Sequence, residues 1–120
     1  MSTSINLLIK MNNNRDAMSA AGIITAIASK RVPESPNEIK KFLDGVVVKG
    51  HTVTVTDNYS LMSCTFRELI PQIMTELAKC QFGSISMNAF CQSFSCGYEA
   101  EFNGLIEKNG ELKTSYIEVN

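Results

Sequence analysis

Apolar and polar residues alternate along residues 82–120 with the two-residue period of β-strands, and this pattern predicts three consecutive strands. The last two strands are joined at Asn109-Gly110, a dipeptide typical of two-residue hairpin turns. From Phe90 onward the apolar positions shift by one residue, which predicts a bulge or bend near residues 89–91. The C-terminal third of the chain is therefore predicted to be a β-meander.

The first third of the chain begins with a short apolar run, residues 4–11, which predicts a strand that ends at three asparagines. Apolar residues then recur at spacings of three and four as far as Arg31, and this spacing predicts a first helix. Ser35-Pro36-Asn37-Glu38 has the sequence of a capping box with proline at the first helical position. A short second helix is predicted to follow it and to end at Asp44-Gly45.

A valine run and a Thr-Val alternation in the middle of the chain predict a hairpin around Lys49-Gly50, with Val46 opposite Val53. A second capping box, Thr65-Phe66-Arg67-Glu68, predicts the start of a third helix. Pro71 lies within the apolar pattern of that helix, so we expect either a kink at this proline or a regular helix that begins there.

The predicted order of elements is strand, helix, short helix, hairpin, helix and three strands. This order contains the βαββαβ arrangement of a ferredoxin-like sandwich, with an added C-terminal β-hairpin. The alternative is an antiparallel sheet with helices on one face, because the same elements can pair in a different strand order. Residues 1–120 are predicted to form a single α+β domain, since this length supports one hydrophobic core.

The composition narrows the classes of function. Hydrophobic residues make up 44% of the chain and charged residues 19%, as in a packed globular domain. The sequence shows no export signal and no apolar run of ~20 residues, so we expect a cytoplasmic protein that does not enter a membrane. Four cysteines without a Cys-x-x-Cys pair fit reduced thiols in that compartment. A net charge of −1 and the lack of a reading module argue against a nucleic-acid partner.

The sequence offers weak candidates for catalysis. Cys64 precedes a predicted helix, where the dipole would stabilise a thiolate, but at that position it is also expected to pack on Leu69. His51 is the one histidine, and nothing in the sequence places it near Cys64. The cysteines lack the close spacing of a zinc site. We therefore predict no catalytic residue, no metal and no cofactor, and a protein that is not an enzyme.

The C-terminal hairpin carries the most specific prediction about a surface. With Asn109-Gly110 as a two-residue loop, Phe102 lies opposite Ile117 on the side of the core. The other side would be acidic and solvent-facing, with Glu118 directly opposite Glu101. The predicted partner-binding residues on that side are Glu99, Glu101, Asn103, Leu105, Glu107, Tyr116 and Glu118.

Three hypotheses of function follow from these patterns. The first is a small cytoplasmic module that binds a protein with a basic surface and neutralises it, as immunity proteins, antitoxins and enzyme inhibitors do. The second is a small-molecule-binding or regulatory domain, dimeric through its sheet edges. The third is a cysteine-dependent enzyme that uses Cys64.

Overall fold

The computed structural model describes residues 3–30, 36–58, 63–93 and 97–119. These residues form six strands and three helices. They are β1 (Thr3–Lys10), α1 (Asn14–Ser29), α2 (Pro36–Asp44), β2 (Val46–Lys49), β3 (Thr52–Asn58), α3 (Ser63–Lys79), β4 (Ile85–Ser93), β5 (Tyr98–Ile106) and β6 (Leu112–Val119).

All six strands form one antiparallel sheet in the order β2-β3-β1-β4-β5-β6. β3 lies between β1 and β2, and β1 lies between β3 and β4. The helical connection from β1 to β2 and the one from β3 to β4 therefore each pass over one intervening strand. The predicted α+β class is confirmed, and the sheet is antiparallel as in the predicted alternative. The ferredoxin-like name stays an interpretation of the βαββαβ portion.

The helices pack on one face of the sheet, and the buried residues of β1, β4 and β5 accordingly alternate along the strand. In β1 these are Ile5, Leu7 and Ile9, and in β4 the same alternation continues without a break from Ile85 to Ser93. The predicted bulge near residues 89–91 is wrong, since β4 pairs continuously with both of its neighbours. The apolar shift in the sequence arises because Phe90 lies on the face away from the helices.

α1 begins where its sequence supplies a cap. The side chain of Asn13 accepts a hydrogen bond from the backbone N–H of Asp16 at 2.9 Å, which satisfies one of the unpaired donors at the helix start. Small residues such as Ala17 and Ala20 are fully buried and allow the helix to lie close to the sheet. α3 begins at Ser63, so Thr65 lies inside the helix, and the capping box predicted there is wrong. The helix continues through Pro71.

The other predicted capping box includes Ser35, which lies outside the described residues. The short helix α2 nevertheless ends at Asp44, as predicted. In the β2–β3 hairpin, Val46 pairs with Val55 and not with Val53, because Gly50 and His51 are the two loop residues. This correction moves the register by two residues, so every side chain keeps its predicted face.

The β5–β6 hairpin departs from its prediction in a more consequential way. Phe102 pairs with Tyr116, and Glu101 pairs with Ile117, so the predicted Phe102–Ile117 pair is wrong. The loop contains three residues, 108–110, with Gly110 at φ 84° and its N–H donating to the Glu107 carbonyl at 2.8 Å. This is the pattern of a type I turn with a glycine bulge. One additional loop residue turns every side chain of β6 to the opposite face.

Candidate functional site

The sheet face away from the helices, called the open face below, presents its side chains in four rows that run across the strands. The strand pairing places Lys49, Thr52, Lys10, Ser86, Leu105 and Lys113 in the first row. The second row holds Val47, Thr54, Leu8, Asn88, Asn103 and Ser115. The third holds Thr56, Asn6, Phe90, Glu101 and Ile117, and the fourth holds Ser4, Gln92, Glu99 and Val119.

Charge is segregated along this face. Three lysines, Lys49, Lys10 and Lys113, lie in the first row, while Glu101 and Glu99 lie in the third and fourth rows. Rows on one face of a sheet are roughly 6.7 Å apart, so roughly 13–20 Å separates the basic end from the acidic end. The open face is therefore electrically polarised along the strand direction.

The structure divides the predicted partner-binding residues between two faces. Glu99, Glu101, Asn103 and Leu105 lie on the open face, as predicted. Glu107 follows β5 at the loop, where its carboxylate pairs with Lys113 at 3.1 Å.

Tyr116 and Glu118, in contrast, lie on the face that packs against the helices. The prediction that they share the open face is wrong, because the three-residue loop inverts β6. Glu118 therefore does not lie opposite Glu101, and the predicted clash of like charges does not occur.

Ser115 and Ile117 take the places on the open face, opposite Asn103 and Glu101, that were predicted for Tyr116 and Glu118. The large aliphatic side chains that β6 presents on this face are Ile117 and Val119. They are 59% and 57% exposed, which is high for large aliphatic side chains. Glu101 pairs with both Phe90 and Ile117, and Glu99 pairs with Val119. Together these side chains line a depression of about 200 Å³. We call Phe90, Glu99, Glu101, Ile117 and Val119 the acidic-apolar patch.

Side-chain amides hold the two carboxylates of the patch in place. Gln92 Nε2 donates to Glu99 Oε1, and Asn103 Nδ2 donates to Glu101 Oε1, each at 3.1 Å. Asn88 Nδ2 in turn donates to Asn103 Oδ1 at 2.7 Å. Within the described ranges, neither carboxylate has a lysine or arginine within ion-pair distance. Both carboxylates are thus held in place with their charge unneutralised.

A hydrogen-bonded cluster fixes the opposite side of β6 to α3. Arg67 donates from Nη2 and Nε to the two carboxylate oxygens of Glu118 at 2.8 and 3.1 Å. The Tyr116 hydroxyl donates to Glu118 Oε2 at 2.9 Å and lies 3.2 Å from the Tyr98 hydroxyl. The hydrogen bonds from Tyr116 and Arg67 lower the pKa of Glu118, while burial and the hydrogen bond with Tyr98 raise the pKa of Tyr116. The cluster therefore stabilises the pairing of β6 with the rest of the fold.

Removal of the Tyr116 hydroxyl is expected to make the folding stability depend less on pH in the acidic range. In the folded protein the pKa of Glu118 is below its ordinary 4.5, so its contribution to stability is present above pH 4.5 and lost as the pH falls. Tyr116→Phe removes the largest cause of the lowered pKa. We expect the Glu118 pKa, measured by NMR titration of its carboxyl carbon, to rise in this variant. Tyr98→Phe is the control, with a smaller rise, and an unchanged Glu118 pKa in Tyr116→Phe would contradict the expectation.

The basic half of the open face contains a wider groove of about 470 Å³. Asn88 and Asn103 line its centre. Lys10 in β1 and Lys113 in β6 line its two sides, and both belong to the first row of the open face. Lys113 is already paired with Glu107, while the described chain places no carboxylate within ion-pair distance of Lys10. The groove could hold a small anionic molecule.

The remaining candidates for chemistry are dispersed. The side chain of Cys64 lies outside the described residues, whereas Cys80 is exposed and Cys91 is buried. His51 lies in the β2–β3 loop with an exposed side chain. Across residues 3–30, 36–58, 63–93 and 97–119, no three Cys, His, Asp or Glu side chains converge as metal ligands would.

None of the described helices combines the length and the apolar character needed to cross a bilayer. Comparison of the chain with protein-family models, with curated proteins and with solved structures found no match in any of the three.

Proposed function

We propose that this chain is a protein-binding module that captures a partner with a basic surface on the acidic-apolar patch and thereby blocks the partner's activity. The observation that carries this proposal is the pairing of exposed Ile117 and Val119 with the unneutralised carboxylates of Glu101 and Glu99. Immunity proteins, antitoxins and enzyme inhibitors act in this way. A cytoplasmic location fits the cysteine content of the chain.

The patch combines apolar side chains with two carboxylates around one depression. Binding energy at protein interfaces is concentrated in a few apolar anchors that become fully desolvated, and Phe90, Ile117 and Val119 can serve as such anchors. Glu101 lies between Phe90 and Ile117, Glu99 lies beside Val119, and both favour a partner with Lys or Arg at the matching positions. Their orientation by Gln92 and Asn103 lowers the entropy cost of binding, because the carboxylates are already held.

The shape of the open face suits inhibition by coverage. Six strands at ~4.8 Å spacing give a surface roughly 24 Å wide without a helix on it. A surface of that width can cover the basic cleft of an enzyme that acts on an anionic substrate. The carboxylates would then occupy positions that the substrate's negative charges otherwise take.

Reversal of the two patch charges is expected to abolish capture of the partner. The Glu99→Lys/Glu101→Lys variant replaces attraction by repulsion, so we expect at least a tenfold loss of the protein retained from native host lysate by the immobilised chain. Lys10→Glu is the matched control, because it changes charge at the other end of the same face and should retain the partner. A photo-crosslinking residue at Ile117 should link the same protein, and one at exposed Met18 in α1 should not.

Retention of the same protein by the charge-reversed variant would contradict the proposal, provided that its circular dichroism is that of the wild type.

The groove at the basic end supports a second candidate function, the binding of a small anionic ligand between Lys10 and Lys113. The same variants distinguish the two, since Lys10→Glu would impair ligand binding and leave partner capture intact.

A further inference from the structure

β6 is an edge strand with little protection against pairing with another strand. It ends the described sheet, where β5 alone pairs with it, and its eight residues contain no proline and no bulge. All of them except Tyr116 are exposed. The two charged side chains of the strand, Lys113 and Glu118, are each paired within the chain, with Glu107 and Arg67. Proteins usually shorten, bend or charge such an edge, because its unpaired backbone groups can bind a further strand. The opposite edge strand, β2, has only four residues.

The loop before β6 establishes which of its backbone groups point outward. Glu107 donates its N–H to the Glu111 carbonyl at 3.0 Å, so the backbone groups of these two residues face each other. Bonded and unbonded pairs alternate along an antiparallel ladder. Residues 113, 115, 117 and 119 therefore bond to β5, whereas Thr114, Tyr116 and Glu118 direct their N–H and C=O groups away from the sheet.

We propose that a second copy of this chain pairs antiparallel with β6, with Tyr116 opposite Tyr116 of the second copy, and that the two sheets become one sheet of twelve strands. The contact is isologous, because each copy contributes the same strand. The β6 edges of both copies are then paired with each other, so the assembly closes as a dimer. The outward groups of Thr114, Tyr116 and Glu118 in each copy form six backbone hydrogen bonds across the axis.

This register is the one that the side chains favour. Both open faces stay on the same side only if odd-numbered residues oppose odd-numbered residues. With Tyr116 at the axis, Thr114 lies opposite Glu118 of the second copy, so no two like charges face each other. A shift by two residues toward the loop would place Glu118 opposite apolar Leu112, and a shift the other way would shorten the overlap.

The polarised open face makes the pairing complementary in charge. In this register Lys113 of the second copy lies opposite Val119, whose neighbour on the other side is Glu99. The Cα atoms of Glu99 and Lys113 are then two strand spacings apart, roughly 9.6 Å, which the two extended side chains can bridge in exchange for the Lys113–Glu107 pair. The two Ile117 side chains become diagonal neighbours and cover each other's exposed surface.

The test is the mass of the chain in sedimentation equilibrium over a range of concentrations. We expect the wild type to approach twice its 13.2 kDa mass. Thr114→Pro removes an outward N–H that is not bonded to β5, so it should weaken association at least tenfold with an unchanged circular dichroism spectrum. Thr114→Ala keeps the N–H and should associate as the wild type does. A wild type that keeps the mass of one chain at every concentration would overturn the proposal.

Cross-linking tests the register even if the proline variant does not fold. In the proposed dimer residue 115 lies opposite residue 117 of the second copy, so the pair Ser115→Cys and Ile117→Cys should form an interchain disulfide under mild oxidation. The pair Lys113→Cys and Ser115→Cys has no such opposition and should yield monomer on a non-reducing gel. Equal cross-linking of both pairs would overturn the register.

The dimer brings Glu99 and Ile117 of the acidic-apolar patch close to the second copy, but its backbone hydrogen bonds come from residues outside the patch, so it and the proposed function can fail separately. Thr114 lies on the helix side of β6 and outside the acidic-apolar patch. Thr114→Pro is therefore expected to lose self-association and to keep partner capture, while Glu99→Lys/Glu101→Lys loses capture.

Discussion

Phe66→Ala is expected to lower the free energy of unfolding by about 3–5 kcal/mol. Phe66 is fully buried near the start of α3, and its ring centroid lies 6.5 Å from that of Tyr116. Truncation leaves a cavity at the point where α3 contacts β6, and it also removes one wall of the Tyr116 site. Because domains of this size are stable by roughly 5–15 kcal/mol in total, a loss of this size is a large share.

Urea denaturation followed by circular dichroism measures this loss. Leu105→Ala is the matched control, since Leu105 is 41% exposed on the open face and its truncation should change stability by no more than about 0.5 kcal/mol. If Phe66→Ala does not fold, the milder Phe66→Leu should still lower the unfolding midpoint. A loss below about 1 kcal/mol in the alanine variant would show that the ring does not support the α3–β6 contact.

Gly45→Ala is expected to destabilise the protein by about 1–3 kcal/mol, while Gly22→Ala is expected to stabilise it by about 0.5–1 kcal/mol. A Cβ on Gly45 would overlap the carbonyl oxygen of Thr56 and lie 3.3 Å from its carbonyl carbon. Both are backbone atoms of β3, so the end of α2 would have to move. Gly22 lies in α1 with nothing within 4 Å of an added Cβ, and alanine favours the helix there.

Thermal unfolding of the two variants provides the comparison, because the same substitution should shift the midpoint in opposite directions. Equal shifts in both variants would mean that backbone propensity, and not the contact with Thr56, decides the outcome at residue 45. The lowered unfolding midpoint in Gly45→Ala is the stricter test of the two, since the obstructing atoms belong to a paired strand.

Local sequence patterns predicted the elements well. The spacing of small and apolar residues in α1, and the Asp44-Gly45 signal at the end of α2, correspond to the observed helices. Such signals depend on neighbours in the chain, so they can be evaluated without knowledge of the fold.

The candidate site was predicted less completely, and one loop is the reason. Asn109-Gly110 suits both a two-residue turn and the end of a three-residue turn with a glycine bulge. The first choice places Tyr116 and Glu118 on the open face, and the second places Ile117 and Val119 there. In the structure, Arg67 of α3 pairs with Glu118 on the helix side, and this pairing is possible only in the second register. That pairing spans 51 residues, which local patterns do not reveal.

The phase shift at Phe90 shows the same difficulty. An aromatic residue on a solvent-facing strand position resembles a bulge when only alternation is considered. Its partners, Asn6 and Glu101, come from distant parts of the chain and make it part of a surface.

The separation of lysines from glutamates along the strands gives the open face a dipole along the strand direction. A cationic body that approaches from solution experiences a torque before any contact forms, and so it arrives at the Glu99 end already turned. The two ends lie farther apart than the Debye length of about 8 Å at physiological ionic strength, so dissolved salt screens the field between them. The rate of encounter should therefore rise as salt is removed. In the proposed association, Lys49 at the far edge of the first row is then expected to influence the rate without making a contact.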